Sequence, residues 1–233
     1  ILGSVSRDLI QQSSESLAGR INFIALPPFG LREKVIMDRL HLRGGYPRSY
    51  LASSETQSSL WRKNYIDTFL ERDIPNLGVS ISAMQLRRFW MMLAHYHSQQ
   101  WNGSEIATSL QISAPTAKRY LDLLTGAFMI RQIQPWFENI GKRQIKSPKI
   151  LFRDSGIFHT LLGIQDKKQL HEHPKLGASW EGFALESIID LLGAAPEECF
   201  YWGVHEQGEI DLLVRKAAGF EAFEVKYTDR PSV

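Results

Sequence analysis

Apolar residues recur at helical spacing in three segments in the first half of the chain. Residues 31–43, 58–73 and 84–97 each carry apolar side chains about every three to four positions. This spacing places the apolar side chains on one face of a helix and predicts three amphipathic α-helices. Pro75 is expected to end the second helix, because proline lacks the amide hydrogen that a helix interior needs.

A helix-turn-helix pattern follows these segments. Ser104 begins a short helix, and Ser113 is a good N-cap for the next one, with Pro115 in its first turn. Residues 128–134 and 150–153 indicate two paired strands. Helices followed by a β-hairpin predict a winged helix, a fold that binds DNA and that also mediates protein contacts. Both roles stay open on this pattern alone.

The two ends of the chain predict α/β structure. One long helix and three strands are expected at residues 178–192, 198–202, 209–215 and 222–227. Residues 165–174 are polar and predict a loose linker, so a domain boundary is expected at residue 165. For residues 1–26 the sequence predicts a strand, a short helix and a second strand, which is the pattern of the end of an α/β domain. The expected fold class is α+β.

Composition places the chain among ordinary globular proteins of the cytoplasm. Hydrophobic residues make up 43% of it and charged residues 22%, and no segment approaches the roughly 20 apolar residues of a membrane-spanning helix. The single cysteine, Cys199, has no partner for an internal disulfide and no neighbours that complete a zinc site. The net charge is only +2, so attraction to nucleic acid requires a local basic patch.

Such a patch lies between the two strands of the predicted hairpin. The wing loop is expected to bring four cations to DNA phosphates, namely Lys142, Arg143, Lys146 and Lys149. The second helix of the helix-turn-helix would present Thr116, Lys118 and Arg119 to a major groove. The alternative is that the basic run is simply a solvated loop.

Acidic residues in the last third suggest a metal site. Side chains two positions apart in a strand share a face, which groups Glu224 with Lys226. Asp211 on the neighbouring strand and Glu181 on the preceding helix are expected to face them. Carboxylate oxygens suit Mg²⁺ or Mn²⁺, with Asp211 and Glu224 as the ligands, and the chemistry indicated is phosphodiester hydrolysis. The alternative is that these charges decorate exposed strands.

Several spaced motifs resemble one known family. They are Gly44-Gly45-Tyr46-Pro47, Arg72-Asp73-Ile74, the stretch from Lys142 to Gly156, and the series Trp180-Glu181, Glu209-Ile210-Asp211 and Glu224-Val225-Lys226. Together they resemble the predicted AAA+ ATPases of bacteria and archaea that carry a C-terminal domain of unknown function. The resemblance runs through essentially the whole chain.

The resemblance implies three parts. Residues 1–30 would be the end of an AAA+ ATPase core, a remnant of a P-loop domain. Residues 31–164 would be a helical lid with a winged helix, and residues 165–233 a PD-(D/E)XK nuclease-like domain. The chain ends soon after Lys226, so this last domain is expected to be incomplete. By this resemblance Glu181, Asp211, Glu224 and Lys226 would take the places of the nuclease family's catalytic residues.

The resemblance also implies a nucleotide site in the intact protein. Ser4 or Ser6 would face the terminal phosphate of ATP, and Arg20 would act as a phosphate sensor or finger. This chain lacks the Gly-x-x-x-x-Gly-Lys-Ser/Thr motif, so it is not expected to hydrolyse ATP alone. The expected partners are DNA and the missing ATPase part. Alternatives are a non-catalytic DNA- or protein-binding module and a regulatory segment that forms homo-oligomers.

Overall fold

Helices dominate the first half of the described chain, and a sheet backed by one long helix forms much of the second. The computed structural model describes residues 26–76, 81–136, 147–204 and 208–228. The helices are α1 (Met37–Arg43), α2 (Pro47–Tyr50), α3 (Glu55–Thr68), α4 (Ile74–Asn76), α5 (Ala83–Ala94), α6 (Gly103–Leu110), α7 (Ala114–Gly126), α8 (Ser155–Leu161), α9 (Lys167–Glu172) and α10 (Leu176–Leu192). The strands are β1 (Gln99–Gln100), β2 (Ile130–Pro135), β3 (Lys149–Phe152), β4 (Cys199–Val204), β5 (Gly208–Lys216) and β6 (Gly219–Phe223).

The strands of the described part form one mixed sheet in the order β1-β3-β2-β4-β5-β6. Neighbours are antiparallel except β2 and β4, which run parallel. The parallel pair aligns Gln134 with Phe200 and Pro135 with Tyr201. The fold class is therefore α+β, as the sequence predicted. The sheet is continuous between strands that precede and follow residue 165, where a domain boundary was expected.

Capping side chains set the ends of the two helices at residues 103–126. Asn102 caps α6 by accepting a hydrogen bond from the Glu105 amide at 3.2 Å. Ser113 caps α7 in the same way through the Thr116 amide at 3.2 Å, as predicted. Gln111 lies between the helices in the left-handed region at φ +56°, which turns the chain sharply. The predicted helix-turn-helix pair is thus observed.

The two larger of three apolar clusters in the described part of the chain support these elements. Helices α3, α5, α6, α7 and α8 share a core that includes Leu86, Phe89, Trp90, Leu93, Leu121, Leu124 and Phe158. The sheet and α10 share another, which includes Ile133, Leu151, Leu185, Ile189, Tyr201, Leu212 and Val214. Burial of these side chains is the main stabilising contribution to each half. Within the described ranges, no helix has the length and apolar character needed to cross a bilayer.

The first helices differ from the sequence prediction. The helix expected over residues 31–43 begins only at Met37, because the Glu33 carboxylate accepts a hydrogen bond from the Gly30 amide at 2.7 Å and stabilises a turn before it. The helix expected over residues 58–73 begins at Glu55, with Ser54 as its N-cap. It continues through a π-helical turn, Phe69–Asp73, into α4.

Two predictions in the last third were wrong. The linker expected at residues 165–174 contains α9, whose N-cap Asp166 accepts a hydrogen bond from the Gln169 amide at 2.9 Å. The strand expected over residues 222–227 ends at Phe223. Here the Val225 amide donates to the Asp211 side chain at 2.9 Å, so this amide is not free for a ladder bond to β5. Glu224 and Lys226 therefore follow the strand and are not part of it.

Candidate functional site

The exposed side of α7 carries the cations that the sequence assigned to DNA. Lys118 and Arg119 are exposed, and Thr116 is half-buried at the first turn. The Lys118 ammonium forms an ion pair with Asp122 one turn later. The Arg119 guanidinium lies 6.0 Å from the centroid of the Tyr120 ring. The structure thus keeps two cations on one exposed helix face.

Other predicted site residues lie outside the described ranges. They are Lys142, Arg143 and Lys146 of the basic run and Ser4 and Arg20 of the expected nucleotide site. Lys149, the last cation of the run, is described at the start of β3. The structure therefore places only this member of the expected wing contact.

Lys149 does not lie on the surface, and this corrects the expectation that it faces DNA. Its side chain is 2% exposed, and its Nζ contacts three carboxylates: Glu209 at 2.6 Å, Asp211 at 2.8 Å and Glu181 at 3.2 Å. We call these four residues the Lys149 cluster. The side chain is enclosed because its ammonium contacts carboxylates of α10 and β5. A phosphate contact by Lys149 would require breaking all three ion pairs.

The cluster joins three separate elements of the fold. Lys149 lies on β3, Glu181 on α10, and both other carboxylates on β5. The Ser98 hydroxyl, whose residue has φ +59°, donates to Glu181 at 2.8 Å. Asp211 accepts from the Val225 amide through its second oxygen at 2.9 Å. Glu181 and Asp211 thus each have a second partner besides Lys149, whereas the Glu209 side chain is 44% exposed.

Burial and charge oppose each other in this cluster. Burial by itself lowers the pKa of Lys149, but Glu181 and Asp211 outweigh it and hold the pKa of the ammonium above its ordinary value. Burial raises the pKa of Glu181, and the nearby Lys149 opposes that rise only in part. The Lys149 ammonium is therefore permanently charged at neutral pH.

Glu224 and Lys226 lie beyond this cluster. Their side chains pair with each other at 2.7 Å and are about half exposed, at 56% and 48%. The hydrogen bond that the Lys226 ammonium donates to Glu224 is the main cause of the raised pKa of Lys226, and Asp211 contributes weakly. Of the four residues predicted as catalytic, the structure brings Glu181 and Asp211 to one cation and places Glu224 on a different one.

The described residues do not fit the magnesium site that the sequence suggested. The two expected ligands, Asp211 and Glu224, are each paired with a different ammonium. Within the described ranges no group of three or more His, Cys, Asp or Glu side chains is arranged to hold a metal ion. Where three carboxylates do approach one another, the Lys149 ammonium already lies between them.

A second polar network lies close to Glu181 on α10. The Ser179 hydroxyl is 2.6 Å from His159 Nε2 and 2.9 Å from His41 Nε2, and all three residues are buried. His159 Nδ1 is 3.0 Å from the Leu42 carbonyl and must donate to it, so its Nε2 accepts from Ser179. His41 then donates to the same hydroxyl. Both rings are neutral, because burial lowers the pKa of His41 to about 4 and holds the pKa of His159 well below its ordinary value.

The Gly44-Gly45 motif, which is part of the resemblance to the AAA+ ATPases, has a structural explanation. The buried Asp154 carboxylate accepts from the Gly45 amide and the Ile157 amide, each at 2.8 Å, and so ties the Gly44-Gly45 turn to the start of α8. Gly44 has φ +74°, and a Cβ there would lie 2.1 Å from an Asp154 oxygen. These glycines and this acid are therefore needed for folding and do not by themselves indicate a catalytic site.

Sequence reasoning missed Glu209, a member of the Lys149 cluster, and Ser98, which donates a hydrogen bond to Glu181. Glu209 is two residues before Asp211 in a strand, and this period-two spacing was a signal that both carboxylates approach one face. Ser98 gave no such signal, because its position depends on a left-handed backbone between α5 and β1. The partnership of Lys149 with residues more than 30 positions away is likewise set by the tertiary fold.

Comparison with known proteins gives a family and two relatives. Residues 36–168, more than half of the 233, match a family model described as a domain of unknown function (DUF8612). Two proteins described as uncharacterized, from Mycobacterium tuberculosis and Mycobacterium bovis, are each 51% identical over 235 aligned positions, which cover 100% of this chain. The chain spans about half of their length, 53%. No solved structure matches it at a significant level.

Proposed function

We propose that this chain, which belongs to the family of domains of unknown function DUF8612, is a DNA-binding module. In this proposal α7 enters the major groove of duplex DNA and contacts phosphates and base edges with Thr116, Lys118 and Arg119. The alternative partner of such a surface is an acidic protein.

The order and pairing of the elements carry the proposal. From α5 onward the chain runs α5-β1-α6-α7-β2-β3, and β3 pairs with both β1 and β2 in an antiparallel sheet. This connectivity is that of a winged helix, in which the last helix before the hairpin is the one that reads DNA. It supports the winged-helix fold expected from the sequence and identifies α7 as the helix to test.

The surface of α7 supports the same assignment. The buried side of the helix contributes Ala117, Tyr120, Leu121 and Leu124 to the core, which leaves Lys118 and Arg119 on the opposite side. The Lys118 pair with Asp122 is exposed on both partners, at 52% and 51%. Such a pair is worth about 0.3–0.5 kcal/mol. Exchange of Asp122 for a DNA phosphate therefore costs little.

Metal-dependent DNA cleavage has weaker support. Glu181 and Asp211 do approach each other, as a nuclease site would need, but both are held by Lys149, and Glu224 pairs with Lys226. DNA binding without cleavage by this chain is the form of the proposal that agrees best with these contacts. The incomplete PD-(D/E)XK domain of the resemblance would then be a scaffold.

We propose that the intact protein includes a part related to the AAA+ ATPases. Because the relatives are about twice as long as this chain, an ATPase part would belong to sequence outside it. ATP binding by that part, its contact with Arg20 and its coupling to DNA would be properties of the longer protein. The chain itself contains no phosphate-binding Walker motif.

Fluorescence anisotropy with a labelled duplex of mixed sequence tests the proposal. The double variant Lys118→Ala, Arg119→Ala is expected to bind on the order of tenfold to a hundredfold more weakly at about 0.1 M salt, since two phosphate contacts no longer release counterions. Gel analysis of the same samples with Mg²⁺ reports cleavage separately.

A matched variant controls for loss of charge. Arg48→Ala with Lys63→Ala removes two exposed cations from α2 and α3 and is expected to leave the affinity within about twofold, because distant charges are screened. Equal binding by the wild type and the α7 variant would contradict the proposal. Cleavage that is lost in Asp211→Asn would restore the nuclease hypothesis.

A further inference from the structure

A pocket of about 210 Å³ lies where α5, the turn between α6 and α7, and α7 itself meet. One of the residues that line it is a cation and none is acidic, so the pocket is suited to a ligand with negative charge. The lining residues are Gln85, Arg88, Leu110, Gln111, Ile112 and Tyr120.

Arg88 is the cation of this pocket. Its side chain is exposed and, among the residues that the structure describes, it has no ion pair, whereas the neighbouring Arg87 pairs with Asp67. A guanidinium presents five N–H donors in a planar fork, and this fork matches the oxygens of a phosphate. Arg88 therefore favours a phosphate group as the ligand.

Neutral donors accompany this cation. The Tyr120 hydroxyl donates to Gln85 Oε1 at 3.4 Å, longer than the roughly 2.7–2.8 Å that is usual between oxygens, so this hydroxyl can change its acceptor. Gln111 adds an exposed side-chain amide at the turn. Together with Arg88, these groups supply enough donors for the oxygens of one phosphate.

The volume of the pocket fits one group of a larger ligand. A space of about 210 Å³ holds about seven water molecules at roughly 30 Å³ each, which is room for a phosphate group and its nearest waters. Pockets that enclose a whole small molecule have about 300–1,000 Å³. The pocket therefore matches one phosphate of a chain better than a free metabolite.

The pocket borders the surface of α7 that we assign to DNA. Tyr120 belongs to α7, and the Arg119 guanidinium lies 6.0 Å from the centroid of its ring. Gln111 comes two residues before Ser113, the N-cap of α7. A helix that lies in the major groove, which is about 12 Å wide, has backbone phosphates on either side of it. A phosphate is therefore the DNA group expected beside α7.

We propose that this pocket binds one phosphate of the DNA backbone, with Arg88 as its cation and Gln111 as a neutral donor. The inference rests on the proposed function, because the pocket receives this phosphate when α7 lies in the groove. The contact fixes the position of α7 along the duplex and carries no sequence information of its own.

Arg88→Gln tests the contact through the salt dependence of duplex binding. Loss of one phosphate contact lowers the slope of the logarithm of the association constant against the logarithm of the salt concentration by about 0.9, and weakens binding about threefold to tenfold at about 0.1 M salt. Arg87→Gln is the matched control, since it makes the same change one residue away on the same helix. It is expected to keep the wild-type slope, because Arg87 is held by Asp67.

Gln111→Gly tests the neutral donor. Gln111 has φ +56°, a left-handed backbone that glycine adopts without strain, so this variant removes the amide and keeps the turn. The expected result is binding weakened about twofold to tenfold, as for one hydrogen bond, with the slope unchanged because no charge is lost.

The outcomes separate this inference from the proposed function. A wild-type slope in Arg88→Gln, together with a reduced slope in Lys118→Ala, Arg119→Ala, would overturn the pocket and keep the function of α7. Equal losses in the Arg88 and Arg87 variants would also overturn the pocket. A reduced slope in Arg88→Gln alone would support the pocket and contradict the role of α7, and a wild type that binds no duplex overturns both.

A second arm uses inorganic phosphate as the probe. Thermal unfolding of the wild type and Arg88→Gln is compared in phosphate and in chloride at the same ionic strength. If phosphate stabilises only the wild type while both proteins bind the duplex equally, the pocket takes free phosphate and the DNA assignment is overturned. If Arg88→Gln weakens duplex binding and phosphate stabilises neither protein, the DNA backbone is supported as the source of the phosphate.

Discussion

Lys118 and Lys149 stand in very different surroundings, although the sequence pattern assigned both to DNA. The Lys118 side chain is 52% exposed and pairs with one carboxylate on its own helix. The Lys149 side chain is 2% exposed and is bound by three carboxylates from two distant elements. The role of a lysine is thus set by what the fold brings to it. A basic run in the sequence does not distinguish a binding surface from an internal cation.

The energetic consequences differ as much as the surroundings. An exposed i,i+4 pair contributes about 0.3–0.5 kcal/mol, because water screens it and two long side chains lose freedom. Removal of one partner of a buried pair costs about 3–5 kcal/mol, because the remaining charge has lost its solvation. Lys118 is therefore free to exchange partners, whereas Lys149 is part of the folded structure.

The largest effect is predicted for Lys149→Met. Methionine keeps most of the volume but leaves three carboxylates without a cation, and the free energy of unfolding is expected to fall by about 3–5 kcal/mol. Urea denaturation at pH 7.5 with a chelator present measures this change. Lys118→Met is the control and should change stability by less than about 0.5 kcal/mol. Similar values for the two variants would remove the distinction between the sites.

A fall in pH is predicted to have the next largest effect on stability, because the buried histidines are neutral in the folded state. His41, His159 and His97 are buried, and burial lowers the pKa of His41 to about 4 and of His97 to about 3. In the unfolded chain histidine titrates near pH 6.5, so protons bind the unfolded state first and stability is lost as pH falls below about 6.5. The loss is about 2 kcal/mol per histidine at pH 5.

The dependence of stability on pH also separates the effect of the buried histidines from that of the Lys149 cluster. Burial also raises the pKa of Glu181 and of Asp154, and protonation of these carboxyl groups works in the opposite direction, but the three buried histidines outnumber them. The urea midpoint measured from pH 7.5 to pH 5 should therefore fall steadily. The exposed His171 gives the control, because His171→Gln should keep the full slope while His159→Gln reduces it. A flat profile would show that these histidines are not held neutral.

The smallest effect on stability is predicted for Asp122→Ala. It removes the ion pair with Lys118 and one hydrogen bond from Gln132, which keeps its bond to Thr125 at 2.9 Å. We expect a loss of about 0.5 kcal/mol or less and tighter binding to duplex DNA, since an anion leaves the α7 surface. Thermal unfolding and anisotropy measure the two effects. Weaker DNA binding would mean that Asp122 itself takes part in the contact.

Much of the fold could be predicted from the sequence because its signals are local. Ser113 and Pro115 mark the start of α7, and apolar spacing marks α5 and α10. The α9 helix was missed because its apolar content is small and Asp166 alone signals its start. The early end of β6 was missed because it depends on a bond between Asp211 and Val225, which no local pattern indicates.

The candidate site was predictable only in part for the same reason. Glu181 and Asp211, which the sequence expected to face one site, both contact Lys149 Nζ. Lys149 was assigned to the wing from charge alone, whereas its burial follows from carboxylates of α10 and β5 that only the tertiary fold brings to it. Partners more than 30 residues apart in the chain cannot be read from spacing.

The salt dependence of duplex binding tests the central claim, that α7 binds DNA, most directly. The logarithm of the association constant is measured against the logarithm of the salt concentration for the wild type and for Lys118→Ala, Arg119→Ala. If both cations contact phosphates, the slope of the double variant is smaller by about 1.8, or about 0.9 per contact. An unchanged slope would contradict the claim that these residues contact DNA.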